Sequence, residues 1–392
     1  MGLSNFSPIF YLNQDVHMNT YLLYISMLVG FLCLSSVSMA QVPDSTEVED
    51  DWWDDDEDFS MYDDLDFEDQ AAKRFASAKI LDISPQRFIS FHWDAQMRYR
   101  AQFSPIGEFQ DEGTRPVAEE GIANYTGGMR LIANIPVISK NSVIWQMGAN
   151  FWDTRYSFSD INQSENSAGL INILNEDGIR TSGINTTVFK PLNDESFLLF
   201  QGSADLSGNY SFAHFQSLRY LRYSAAVLWG KRPSDRKQWA VGIARTYRVG
   251  ELNYLPIIMY NYTAPSRKWG IEMLLPARAH YRRTFNSRNL LLAGYELEGQ
   301  SYRIRQLSTD DKSFEIRRGE LRFRLEYMRQ LSGFIWWSVQ GGLRYNYINH
   351  ADFITNNGND FFRGFFGDQP YAMLSTLGHP LYFNIGIHLL SP

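Results

Sequence analysis

The chain is 392 residues long with a formal net charge of −8, enough for one large domain, and nothing in its composition requires division into several. Its charge is segregated. Between Gln41 and Gln70 lie 15 acidic residues and no basic one, whereas all 36 Lys and Arg lie beyond residue 70, against 28 Asp and Glu there. The net value therefore hides two opposed segments and calls for no nucleic-acid partner. A single cysteine, Cys33, excludes a disulfide framework.

In chain order, the first feature is the apolar run from Tyr21 to Val37, followed by Ser38-Met39-Ala40. Small residues at Ser38 and Ala40 give the pattern that signal peptidase accepts, and the run is shorter than the roughly 20 residues of a transmembrane helix. Residues 1–40 are therefore expected to be a signal peptide, with Met18 as an alternative start and no Lys or Arg ahead of the run. Cys33 lies within it behind Leu32, where a lipoprotein box wants a small residue, so the mature chain is expected to carry no thiol and no lipid anchor. Residues 41–85 read as an acidic disordered segment. It is either a solvated spacer or a tract that docks on the basic remainder. Its Asp runs lack the turn-forming Gly and closing Glu of a calcium loop, and no metal or other cofactor is expected.

From residue 86 the chain alternates with period two. In Phe91 to Phe103 the odd positions, Phe91, Trp93, Ala95, Met97, Tyr99, Ala101 and Phe103, are apolar and the even ones polar. A strand produces that segregation and a helix of period 3.6 does not. Leu321, Phe323, Leu325 and Tyr327 repeat it against Glu320, Arg322, Arg324 and Glu326. Further runs are 122–137, 143–158, 181–190, 197–209, 218–230, 239–244, 254–263, 269–283, 290–306, 335–349 and 381–390, thirteen runs in all. Because single-chain bacterial barrels have even strand numbers, the expectation is an all-β antiparallel transmembrane β-barrel over residues 86–392, with about 12 strands and a range of about 10 to 14. Short polar turns at 139–142, 192–196, 231–238 and 265–268 interleave with long loops at 104–120 and 159–180, as in barrels with short periplasmic turns and long outer loops. Trp229 and Trp239 flank one turn and Tyr262 and Trp269 the next, as an interfacial girdle would.

The cations on these strands are mostly arginines. Facing lipid at the bilayer midplane would cost about 2 to 4 kcal/mol each, so they are expected to face inward. Arg98, Arg100, Arg130, Arg222, Arg322 and Arg324, with Glu320 and Glu326, are the candidate lumen-lining residues. They form either an anion-attracting channel for small solutes or an internally paired structural network. A lipid-modifying enzyme would need a base such as His92 beside Asp94, and an adhesin would act through the loops at 104–120, 159–180 and 350–379. No nucleophile-elbow, phosphate-loop or zinc motif occurs, and no residue is assigned a catalytic role.

The block Leu255-Pro256-Ile257-Ile258-Met259-Tyr260-Asn261-Tyr262, with Trp269-Gly270-Ile271-Glu272-Met273-Leu274-Leu275-Pro276-Ala277 and Leu290 through Tyr302, resembles an uncharacterised family of bacterial barrel proteins, the domain of unknown function numbered six-two-six-eight. The resemblance covers roughly Phe88 to Pro392. It implies an outer-membrane location, with membrane lipid and the barrel-assembly machinery as partners, and carries no activity or site residues. The chain departs from many such barrels in ending Leu389-Leu390-Ser391-Pro392 rather than on Phe.

Overall fold

The computed structural model describes residues 79–105, 118–163, 169–211, 221–247, 252–308, 312–355 and 371–390. The expected signal peptide, the acidic segment up to residue 78 and the tips of the long loops lie outside these. The described residues belong to one compact unit, Asp69–Pro392. Its strands are β1 (Arg87–Gln96), β2 (Tyr99–Pro105), β3 (Glu119–Lys140), β4 (Val143–Gln163), β5 (Ile179–Pro191), β6 (Ser196–Gly208), β7 (Arg222–Ser234), β8 (Lys237–Thr246), β9 (Asn253–Thr263), β10 (Trp269–Leu275), β11 (Arg278–Asn286), β12 (Asn289–Arg303), β13 (Lys312–Ser332), β14 (Ile335–Thr355), β15 (Met373–Leu377) and β16 (Leu381–Leu390). One helix, α1 (Leu170–Asp177), lies between β4 and β5. It ends at Gly178, whose φ of 64° suits glycine and whose N–H reaches back to the Leu174 carbonyl at 3.0 Å.

From β2 to β14 each strand pairs antiparallel with the next in sequence, β14 pairs with β15 and β16, β15 pairs with β2, and β1 pairs with both β16 and β3. The sheet therefore closes on itself. β1 and β2 are the lower and upper parts of one barrel strand, and β16 and β15 those of another, so the ring has 14 strands. Fourteen lies at the upper end of the expected range of about 10 to 14, and the thirteen runs become fourteen strands because the run 269–283 is two. It folds back at Pro276-Ala277, which bring Leu274 opposite Arg278. Residues 79–85, read from sequence as part of the acidic segment, belong to the barrel and cross its mouth, as described below.

One end of the ring carries the tight connections at Asn141-Ser142, Asp235-Arg236 and Ser287-Arg288, together with the start of β1 and the end of β16; it is called the turn side. The other carries α1 and the longer loops and is called the loop side. Facing outward are Phe91, Trp93, Ile184, Val227, Val241, Ile243, Ile258, Phe323, Leu325, Phe383, Ile385 and Ile387, all exposed. A continuous exposed apolar band is what lipid requires of a barrel wall. Near the turn side the band ends in paired aromatics: Trp229 with Trp239, and Tyr262 with Trp269, both at 5.7 Å between ring centroids, and Tyr327 with Trp337 at 6.0 Å. These place the girdle where the sequence put it. The molecule is a membrane-spanning β-barrel.

The wall is uneven in height. β3, β4, β13 and β14 run for 21 or 22 residues, whereas β10 has 7 and β11 has 9. Above the short strands, Gly208 at the end of β6 pairs in parallel with Arg303 at the end of β12, so these two strands draw together into a roof. Under it α1 and the strands bury Phe103, Phe158, Ile171, Leu174, Ile304, Phe314, Ile316 and Met373. The roof is apolar inside and polar outside, the reverse of the wall below.

Candidate functional site in the barrel lumen

Between roof and mouth, the inward face of β1, β3 and β12–β14 carries a belt of ion pairs. Asp94 on β1 is its hub. Its Oδ2 accepts Arg130 of β3 at 3.2 Å, Arg322 of β13 at 3.4 Å, and Arg344 of β14. Glu298 of β12 takes Arg130 at 2.7 Å and Arg322 at 2.5 Å. Glu320 takes Arg318 at 2.8 Å and Arg344 at 3.2 Å, and Glu326 takes Arg87 at 2.8 Å and Arg324 at 3.0 Å. The Tyr382 ring lies 4.6 Å from the Arg322 guanidinium and 5.1 Å from that of Arg344, adding a cation–π face to the cluster. A buried charge is tolerated only when opposed and hydrogen-bonded, and Glu296 and Glu298 of β12 supply that opposition to Arg324 and Arg322 on the adjacent β13.

Three contacts cross the lumen rather than follow the wall. Arg130 reaches Glu298 from five strands away, Arg318 on β13 donates to the Tyr156 hydroxyl of β4 at 3.0 Å, and Gln300 on β12 donates to Ser207 Oγ of β6 at 2.5 Å. A ring of this size lies between narrow barrels filled by side chains and the 16- to 18-stranded porins that keep an aqueous channel. The long Arg, Glu and Gln side chains decide the outcome here by meeting across the gap.

The turn-side mouth is crossed by residues 79–86, which lead into β1 but bond to the opposite wall. The Leu81 N–H donates to the Asp235 carbonyl at 2.7 Å, and Thr263 Oγ1 donates to the Leu81 carbonyl at 2.8 Å. Ser84 donates both its N–H and its hydroxyl to Glu272 Oε1, each at 2.9 Å. Arg282, buried at the same place, donates to Glu272 at 2.8 Å and to Thr263 at 2.9 Å, so the strap is fixed to an anchored carboxylate. Ile80 of the strap is itself buried, and burial lowers the pKa of the neighbouring Lys79.

Of the residues expected from sequence to line the lumen, Arg130, Arg322, Arg324, Glu320 and Glu326 meet in this belt. Arg222 lies apart, paired with Glu315 beneath the roof. Arg98 and Arg100 do not line the lumen. Their side chains are 62% and 75% exposed on the outer face, beside Asp160 and Glu120. The cause is an irregularity at Met97-Arg98, where two successive residues face outward and Tyr99, Ala101 and Phe103 turn inward to the roof. Sequence reasoning passed over Arg87 and Glu298 as belt members, and passed over the strap. Their signal was faint: Arg87 stands at a strand end, and residues 79–86 show no periodicity. The sequence candidate His92 with Asp94 is not a couple. His92 Nδ1 lies 3.0 Å from Asn384 Oδ1, while the arginines hold the Asp94 carboxylate. Among the described residues no group of three metal-ligating side chains occurs.

No family model matches the chain, and no curated protein matches it. Among solved structures, the chain is similar to the toluene transporter TodX of Pseudomonas putida, with 8% identity and a TM-score of 0.25 over 81% of this chain and 95% of that one. It is also similar to the outer membrane protease OmpT of Escherichia coli, at 7% identity and a TM-score of 0.25 over 80% of this chain and all of that one. A third is OccAB4 of Acinetobacter baumannii, at 4% identity and 0.23, over 79% and 99%.

Proposed function

We propose that this chain is an outer-membrane protein of a Gram-negative bacterium whose barrel is a closed structural element of the envelope, not an open pore. The observation that carries this reading is the set of charge and hydrogen-bond contacts made from wall to wall by Arg130, Arg318 and Gln300. The strap below and the roof above support it. Membership of the uncharacterised barrel family resembled by the 255–302 segment is part of the proposal, as are membrane lipid and the assembly machinery as partners.

A second reading, a narrow channel for small solutes, has one observation in its favour. The strap is held by hydrogen bonds at Asp235, Thr263 and Glu272 and could leave without breaking a strand. A disulfide between Leu81→Cys and Asp235→Cys, verified by its mass, separates the two. Cells lacking the protein are scored for sensitivity to detergent and large antibiotics, then complemented with the locked variant. Full complementation is expected of a structural protein. Complementation only after reduction would establish the strap as a gate and overturn the structural reading.

A further inference from the structure

We propose that the lumen holds a binding site for a small, neutral, ring-sized molecule, beneath the strap and against the wall opposite the ion-pair belt. A cavity of about 170 Å³ lies there, lined by Ile144, Phe189, Phe197, Leu199 and Met259, with Gln146, Thr187, Gln238 and Asn261 at its polar points. All of these project inward, from β4, β5, β6, β8 and β9, and Lys79 and Gln86 of the strap complete the lining. The inference does not depend on whether the barrel is structural or a channel.

Three features point to a ligand of this class. First, the lining is apolar where a water-filled lumen is polar: Phe189 and Phe197 stack at 4.9 Å, and Leu228, Ala240 and Ala226 are buried behind them. Second, the volume suits one ring system. An apolar cavity of about 150 Å³ is enough to stay dry and take up benzene, whereas drug-sized pockets begin at roughly 300 Å³. Third, apart from Lys79 on the strap, the polar groups are few and neutral. The Asn261 amide lies 3.4 Å from the Gln238 side-chain oxygen, and neither these nor Gln146 and Thr187 bring a formal charge. A cation would be stripped of water with no carboxylate in the lining to oppose it and with Lys79 beside it. A neutral aromatic or short cyclic alcohol or amine-free heterocycle with one hydrogen-bonding atom satisfies both surfaces.

The test uses the full chain in lipid nanodiscs and 5-fluoroindole as probe, read by fluorine NMR against empty nanodiscs. Saturable one-to-one binding is expected. Leu199→Phe fills the cavity, and Leu198→Phe, its neighbour on the lipid face, does not. The first should weaken binding by about tenfold or more, and the second should leave it unchanged. Folding of each is checked by heat-modifiable mobility, and Met259→Phe replaces Leu199→Phe if the latter fails to fold. Uptake no greater than that of empty nanodiscs overturns the proposal, as does equal binding by the filled variants. Tighter binding of fluorobenzoate than of fluoroindole would assign the site to anions through Lys79 and overturn the neutral class. Binding that appears only after removal of residues 41–78 would assign the cavity to this chain's own N-terminal segment and overturn the proposal.

Discussion

The two halves of the lumen face each other across the same barrel and are closed by different physics. On β1, β3 and β12–β14 the inward side chains are long and charged, and each guanidinium of the belt meets a carboxylate. Towards the turn side of β5–β9 they are apolar, small or uncharged, with Phe189, Phe197, Leu228, Ala226, Ala240 and Ala244 in contact and the amides Gln238 and Asn261 among them. Directional pairs reach across the gap and hold the charged half shut. The apolar half has no such reach, and the residual space lies on its side. Strand number alone therefore does not set whether a barrel of this size is open. The length and pairing of inward side chains set it.

The largest loss of stability is expected on removing the hub of the charged half. Asp94→Ala leaves Arg130, Arg322 and Arg344 without their shared carboxylate, and losing one partner of a buried pair costs about 3 to 5 kcal/mol. A lower unfolding temperature in heat-modifiable gel assays is expected; an unchanged one would mean that the belt does not support the fold. In the apolar half, Phe197→Ala should cost about 3 kcal/mol through the cavity it leaves. That loss should be the same at low and high salt, since no charge is involved. Ser84→Ala removes one hydrogen bond from the strap, worth about 1 kcal/mol. It should raise amide exchange in residues 79–86 while leaving exchange in β13 alone.

The smallest effect is expected at Arg98 and Arg100. Their exposed pairs with Asp160 and Glu120 should contribute at most about 1 kcal/mol. Arg98→Cys and Arg100→Cys should react with a membrane-impermeant maleimide on the intact barrel, and Arg322→Cys should not. Labelling in the opposite order would return the first two to the lumen.

These two arginines also mark where the sequence stops being legible. The odd positions from Phe91 to Phe103 form one apolar series in sequence, yet Phe91 and Trp93 face lipid while Tyr99, Ala101 and Phe103 face the roof core. Inside and outside exchange polarity at the level where the strand inverts, so the alternation continues through the change of face and hides it. The second miss, in 269–283, left a mark that could have been read. Pro276 stands within that run, and a proline cannot donate to a central ladder. The belt was legible on β13 because Glu320, Arg322, Arg324 and Glu326 alternate with Leu321, Phe323 and Leu325. Its partners across the lumen were not, since pairing of Arg130 with Glu298 depends on ring closure and no local pattern encodes it.

Closure of the lumen by cross-barrel pairing is open to measurement as planar-bilayer conductance of the purified full-length protein in concentrated potassium chloride. Insertion verified by labelling but without resolved current steps is the expected result, with steps appearing in Asp94→Ala. Stable ohmic openings in the unmodified protein would show that the paired side chains leave the lumen open.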